Sequence, residues 1–373
     1  MFTYRQLVEL ERTLRPVKVL SGYIPAEVRD PAARQIWRKE LDVRLAELRA
    51  GLANSPRAQR ASFDRAAERL GEHLAGYRGA LRAVGFAAFV TDDGVQHAAP
   101  LPAEVPWLVA WGDGIRVAPY LRALKQLRPA VITLVDSRKA RLFRYRGGTL
   151  ELLETIRAQA HVEPPYHMGN APRQGFKPNT RGRTGTDAAQ RELRAGTDRM
   201  VADVVKRVVE LAGVDGWMLF GGTARTALAA AASLPEHLSG RVMVKQGLQV
   251  SSSEAEIARH AADGVSQLRG ARDLAEIEAL LDRSGAHGNG AMRINATLHA
   301  LADGAVQELL LTPAFLAEHP DEAEAAVRAA MDQAAAIEIV SDPAARRLDA
   351  EAEGIGARLR FVAHTSGASA TMS

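Results

Sequence analysis

The sequence predicts an α/β protein of three domains. Three observations carry that expectation. The chain has 373 residues, more than one ordinary domain holds. Apolar runs of strand length alternate with segments whose apolar residues recur at spacings of three and four, the signature of mixed strands and amphipathic helices. The charge is also divided: residues 1–126 carry a net +5, residues 127–262 a net +7 and residues 263–373 a net −8, behind a whole-chain value of +4. The expected parts are an N-terminal α/β domain with a helical hairpin (1–126), a strand-rich middle domain with packed helices and a cationic loop at 164–187 (127–262), and an acidic C-terminal α/β sandwich (263–373). The basic parts suit a polyanionic partner and the acidic part a protein or solvent.

The first sixteen residues follow a helical pattern that contains Glu9 and Glu11, which does not read as a signal peptide. "VKVLSGYIP" (17–25) reads as a strand entering a turn. Trp37, Leu41, Leu45, Leu48 and Leu52 form one apolar stripe, and Phe63, Ala67, Leu70, Leu74, Tyr77 and Leu81 another. Two such helices joined by "ANSPRAQ" predict a hairpin. "GFAAFV" followed by "DDG" reads as strand and turn, and "PLPAEVPW" as a proline-broken connection. In the middle part, Val131–Val135 predict a buried strand, Arg138 and Lys139 interrupt it, "ARLFRYR" resumes as a second strand, and Gly147-Gly148 turns into a third. A helix is expected over about 188–212, then a short strand, two glycines, an alanine-rich helix and the strand "RVMVK". A helical segment over about 254–282 leads to the break "SGAHGNG". Helix "AMRINATLHALADG", strand "AVQELLLTP", helix "PDEAEAAVRAAMDQAAA", strand "IEIVS" and strand "GIGARLRFV" close the pattern, and "HTSGASATMS" is a polar tail.

Several function classes lose their footing at once. There is no cysteine, so disulfides, thiolate catalysis and cysteine-based zinc sites are excluded, and a cytoplasmic protein is expected. No apolar run approaches the roughly 18 to 20 residues of a membrane span, so no membrane partner is expected. GxSxG and HExxH are both absent. His161 and His167 stand six apart with no third ligand near them in sequence, which argues against a metal. Gly221 and Gly222, between a strand and a helix, are open to two readings: a phosphate seat in a nucleotide-handling protein, or a tight strand-to-helix turn. The absence of the P-loop Lys-Ser/Thr favours the turn. No cofactor is expected.

The segment 170–186, "NAPRQGFKPNTRGRTGT", holds Arg173, Lys177, Arg181 and Arg183 and no anion, with three glycines and two prolines. Glycine and proline oppose regular structure, and cations without anions repel one another. Such a segment gains order against phosphates, where each Lys or Arg contact releases counterions, or else stays solvated. Arg138, Lys139 and Arg141 on the nearby strand turn are candidates for the same contacts.

"VITLVDSRKARLFRYRGGTLELLE", the cationic Gly-rich loop and "GTDAAQRELRAGTDRMVADVVKRVVE" together resemble the middle domain of the archaeal and eukaryotic class 1 peptide chain release factors and of Pelota. "ALADGAVQELLL", "IEIVS" and "GIGARLRF" resemble their C-terminal domain. The best match is to the bacterial branch, the Balon-like ribosome hibernation factors, over roughly 129–362. The N-terminal part matches only through "VLSGYIP", and no Asn-Ile-Lys-Ser stop-codon motif occurs. The resemblance implies release-factor-like domains and a ribosomal partner, at the rRNA of the A site and the peptidyl-transferase centre. It also implies a translational GTPase such as elongation factor Tu meeting the acidic domain.

Release factors carry Gly-Gly-Gln at the loop tip. Here Gly185 stands for the first glycine, Thr186 for the second and Asp187 for the glutamine. Ester hydrolysis on peptidyl-tRNA develops a negative oxygen, which needs N–H donors or positive charge. Aspartate offers no N–H and adds a negative charge. An unperturbed Asp is also a weak base at neutral pH, and Thr restricts a backbone that glycine leaves free. The expectation is therefore a non-catalytic ribosome hibernation or stress factor occupying the tRNA (A) site. The alternative is a peptidyl-tRNA hydrolase or tRNA-end nuclease acting in release or rescue, with Gln174 or Asp187 as the active group.

Overall fold

The structure, a computed structural model of the chain, describes residues 1–26, 36–77, 81, 83–159, 184–286 and 288–361, with the backbone alone for 184–190 and 285–286. It is mixed α/β and divides into two compact units: residues 1–127 together with 270–373, and residues 128–269. Each of its three sheets lies within one of the three segments that the charge pattern marks.

The first unit opens with α1 (Tyr4–Leu14), started by a capping box in which Thr3 and Gln6 satisfy each other's backbone N–H groups. Its first sheet contains β1 (Lys18–Pro25), β2 (Gly85–Val90), β3 (Val95–Leu101) and β4 (Leu108–Asp113) in the order β3-β2-β1-β4. β1 pairs antiparallel with both β2 and β4. Strand alternation gives the sheet two apolar faces. Leu20, Ile24, Phe86 and Ala88 meet the hairpin of α2 (Ile36–Gly51) and α3 (Arg57–Ala75) through Trp37, Leu41, Phe63 and Leu70. Val19, Tyr23, Ala87 and Phe89 face the other way, into a core shared with Leu7, Tyr120, Val306, Leu309 and Val327.

That shared core joins the two ends of the chain. The C-terminal sheet has β10 (Gly290–Met292), β11 (Val306–Leu311), β12 (Ala336–Ile339) and β13 (Ile355–Leu359) in the order β10-β13-β11-β12, with only β11 and β12 parallel. Around it lie α8 (Ile294–Ala302), α9 (Pro313–Glu318), α10 (Pro320–Asp332) and α11 (Ala344–Ala352). α4 (Ala118–Gln126) carries the polar links. Glu324 is buried, and its Oε1 accepts the Val117 N–H at 2.8 Å, at the N-terminus of α4. Burial pushes its carboxyl up to about 7, against the opposing pull of that hydrogen bond and of Arg328 and Arg116. At the other end of α4, Lys125 Nζ pairs with Asp273 at 2.7 Å and Glu338 at 2.9 Å. Arg15 bridges buried Glu11 and Asp332.

The second unit holds a five-stranded sheet. Its strands are β5 (Ala130–Val135), β6 (Lys139–Arg146), β7 (Thr149–Arg157), β8 (Trp217–Gly222) and β9 (Val242–Val244), ordered β7-β6-β5-β8-β9. β5, β6 and β7 form an antiparallel meander, and β5, β8 and β9 run parallel. One face packs on α5 (Thr184–Ala212) and α6 (Ala224–Ala232), through Val131, Leu142 and Phe220 against Val204, Val208 and Ala227. The other packs on α7 (Glu254–Ala286), through Ile132, Phe143 and Leu219 against Ile257, Ala261 and Val265.

The break between middle and C-terminal parts, expected at 262/263, falls inside α7. Ile257 and Ala261 serve the core of the second unit, while Ile277 and Leu280 serve that of the first. A change of charge along an exposed helical face needs no change of backbone. "AMRINATLHALADG" is not helical throughout: its first residues add a short strand, β10, beside β13. No described helix is long and apolar enough to cross a membrane.

Candidate nucleic-acid interface

Arg173, Gln174, Lys177, Arg181 and Arg183 lie outside the described residues, as do His161 and His167. The structure does show where their segment leaves and returns. It follows β7, which ends at Arg157, and precedes α5, which starts at Thr184. The backbone of Gly185, Thr186 and Asp187, expected at a loop tip, belongs to the first turns of α5. Good helix formers follow at once in Ala188, Ala189 and Gln190, which favours an early start.

The β5–β6 turn sits at this end of the sheet. Asp136 builds it: its Oδ1 accepts the N–H groups of Arg138 at 2.7 Å and Lys139 at 2.8 Å, and its own N–H donates to the Lys139 carbonyl at 3.0 Å. This Asp-capped turn exposes both cationic side chains. The Arg138 carbonyl accepts the Ala158 N–H at 2.8 Å, tying the turn to the end of β7. Thr197 Oγ1 donates to the Ser137 carbonyl at 2.8 Å, tying it to α5.

Register then brings a third cation in. Pairing outward from the Gly147-Gly148 turn sets Arg146 opposite Thr149 and would set Lys139 opposite Ile156. A bulge between Leu142 and Phe143 shifts the register by one, so Lys139 lies opposite Arg157. Like charges directly opposite each other destabilise a strand pair. Arg194, exposed and one turn before Thr197 on α5, adds a fourth cation. Among the described residues no carboxylate pairs with Arg138, Lys139, Arg157 or Arg194. Elsewhere in the unit pairing is the habit: Arg207 with Glu154, Arg199 with Glu192, Arg144 with Glu151, and Lys245 with Asp263, whose carboxyl that contact holds below its usual range.

Sequence reasoning grouped Arg141 with the free cations, and the fold commits it elsewhere. Its guanidinium lies 4.7 Å from the centre of the Phe143 ring and donates to the Val250 carbonyl at 3.0 Å. Alternation along β6 turns Arg141 toward the face that α7 covers. Arg157 and Arg194 were missed. Arg157 required the pairing of β6 with β7, and Arg194 required the orientation of α5 that Thr197 fixes.

The Gly221-Gly222 junction is a closed turn. The Gly222 N–H donates to the Leu248 carbonyl at 2.8 Å and the Thr223 N–H to the Val135 carbonyl at 3.0 Å. A Cβ on Gly222 would stand 2.0 Å from the Val135 oxygen, at a φ of +110°. These two donors face protein carbonyls and are not offered to a phosphate. Among the described residues no cluster of His, Asp or Glu could hold a metal ion.

Residues 116–264 match the family model of the bacterial archaeo-eukaryotic release factor family 10. No curated protein matches the chain. Among solved structures, the chain is similar to a model of ribosome-bound archaeal Pelota and ABCE1, with 16% identity, a TM-score of 0.43, and coverage of 96% of this chain and 94% of that one. Archaeoglobus fulgidus Pelota gives 16% identity and a TM-score of 0.36, over 74% and 79% of the two chains. S. cerevisiae Dom34, a translation termination-like factor, gives 9% and 0.42, over 66% and 69%. Over residues 116–264 the chain is thus similar to the proteins described as bacterial archaeo-eukaryotic release factor family 10.

Proposed function

We propose that this protein is a ribosome-associated translation factor that occupies the tRNA (A) site and contacts rRNA phosphates through the middle unit, without hydrolysing peptidyl-tRNA. The observation that carries the reading is the exposed group Arg138, Lys139, Arg157 and Arg194. It lacks counter-ions among the described residues and sits at the root of a connection holding Arg173, Lys177, Arg181 and Arg183. A fold that sets Lys139 opposite Arg157 without a carboxylate has accepted repulsion that a phosphate oxygen relieves. The release factor-like match of residues 116–264 supports the ribosome as the source of that phosphate. Gly185-Thr186-Asp187 in place of Gly-Gly-Gln supports a binding role over a hydrolytic one. Cytoplasmic residence and a hibernation or stress role go with it, and the acidic C-terminal part is offered to a translational GTPase.

The test is co-sedimentation of purified protein with ribosomes carrying peptidyl-tRNA, across a salt series. Binding should weaken steeply with salt. It should be lost when Arg173, Lys177, Arg181 and Arg183 all become Gln, and the peptidyl-tRNA should stay intact. Peptide release that Asp187→Ala or Gln174→Ala abolishes would replace this reading with the hydrolase. Undiminished binding of the four-fold variant would end it.

A further inference from the structure

A groove of about 410 Å³ lies within the first unit, between β4 and α4 on one side and α9 and α10 on the other. That volume falls in the range of small-molecule sites. Its walls are largely apolar and stiff: Trp107, Leu108 and Pro119 face Pro313, Leu316 and Pro320. Three proline rings hold their backbone without side-chain rotamers to freeze, so the groove exists before anything enters it.

Its charged residues are not equivalent. Arg116 donates to the Asp321 carboxylate and, at 3.1 Å, to the Pro320 carbonyl. Glu324 accepts the Val117 N–H. Arg122 is half-buried, lies one turn along α4 from Pro119, and makes no hydrogen bond or ion pair with any described residue. Its guanidinium borders the apolar slot with none of its nitrogens buried and none spoken for by a described residue, so it is free to take an anion there. A carboxylate matches its fork with two parallel hydrogen bonds.

We infer that this groove binds a small apolar monocarboxylate, with the carboxylate on Arg122 and the hydrocarbon or aromatic body between Trp107 and the proline walls. The groove belongs to the first unit and shares no residue with the cationic group of the second, so it is independent of ribosome binding by that group.

Isothermal titration calorimetry of the full chain with naphthalene-2-carboxylate, and with uncharged naphthalene-2-methanol as control, tests the inference. The carboxylate should bind saturably at one site and the alcohol at least ten-fold more weakly, as loss of a charge-assisted hydrogen bond implies. Arg122→Gln should weaken the carboxylate at least ten-fold and leave the alcohol unchanged. Ala317→Trp, at an exposed position on the rim, should fill the groove and abolish both without disturbing the fold. Absence of saturable carboxylate binding would overturn the inference. So would equal binding of acid and alcohol, or carboxylate binding indifferent to both substitutions.

Discussion

Glu324→Gln should stabilise the first unit above neutral pH and leave it nearly unchanged in acid. The carboxyl is buried, and its proton is held up to about 7 where the unfolded chain releases it near 4.5. Burial is the main cause, opposed by the Val117 N–H and by Arg328 and Arg116; buried Glu11, also near Arg328, competes for that cation. A folded-state value above the unfolded one means that the stabilisation is complete below 4.5 and is lost as pH rises through about 7. The difference of roughly two and a half units corresponds to ~3 kcal/mol at pH 8. Glutamine keeps an oxygen for the Val117 N–H and carries no charge to bury. Urea unfolding of both proteins at pH 5, 6, 7 and 8, followed by the fluorescence of the tryptophans, measures the gap. It should open from about 0.8 kcal/mol at pH 5 to ~3 kcal/mol at pH 8. A gap of the same size at every pH would refute the reasoning, because it would mean that Glu324 titrates alike in the folded and unfolded chain.

Gly222→Ala should destabilise the second unit by several kcal/mol, since the new methyl meets the Val135 carbonyl at an unfavourable φ; thermal unfolding followed by circular dichroism would register the lower midpoint. Lys125→Met should cost about 3–5 kcal/mol by taking the cation from buried Asp273, while Glu338 keeps Arg272 at 3.9 Å, and restoring apolarity with Asp273→Leu in the same chain should recover part of that loss in denaturant titrations. Lys139→Gln with Arg157→Gln should leave the unfolding midpoint equal or slightly raised, because the paired like charges are gone, while the slope of ribosome affinity against salt flattens by about two charges. Phe220→Ala should lower stability by about 3–5 kcal/mol through a cavity between the sheet and α6, seen as a lower denaturant midpoint.

Long periodic elements were legible in the sequence. The stripes of α2 and α3 and the apolar run of β5 needed only their own spacing, and Gly147-Gly148 marked its hairpin turn. What stayed hidden depended on partners distant in sequence. β3 is only partly covered along its length, and its Pro100 obscures a strand pattern; β4 likewise carries no single buried stripe. β10 is three residues long and exists through pairing with β13. α4, α9 and α11 are short, and their helicity rests on the faces they bury rather than on propensity. In the interface, charge identified Arg138 and Lys139, but the pairing of β6 with β7 decided that Arg157 joins them and strand alternation decided that Arg141 does not.

α5 is far longer than the sheet it covers. At about 1.5 Å per residue its 29 residues reach roughly 44 Å, while the six residues of β5 reach roughly 20 Å. Its deeply buried apolar side chains run from Met200 to Ala212, and the Thr197 link to the Ser137 carbonyl lies just ahead of them. Between Leu193 and Arg199 the described side chains are exposed or half-buried, and the Thr197 hydroxyl is what ties this stretch to the sheet. Amide exchange along α5 should thus be slow after Met200 and faster at Leu193 and Arg194, where the side chains are exposed. A docked partner would be able to slow the fast end without disturbing the slow one, which makes the helix a built-in gauge of occupancy.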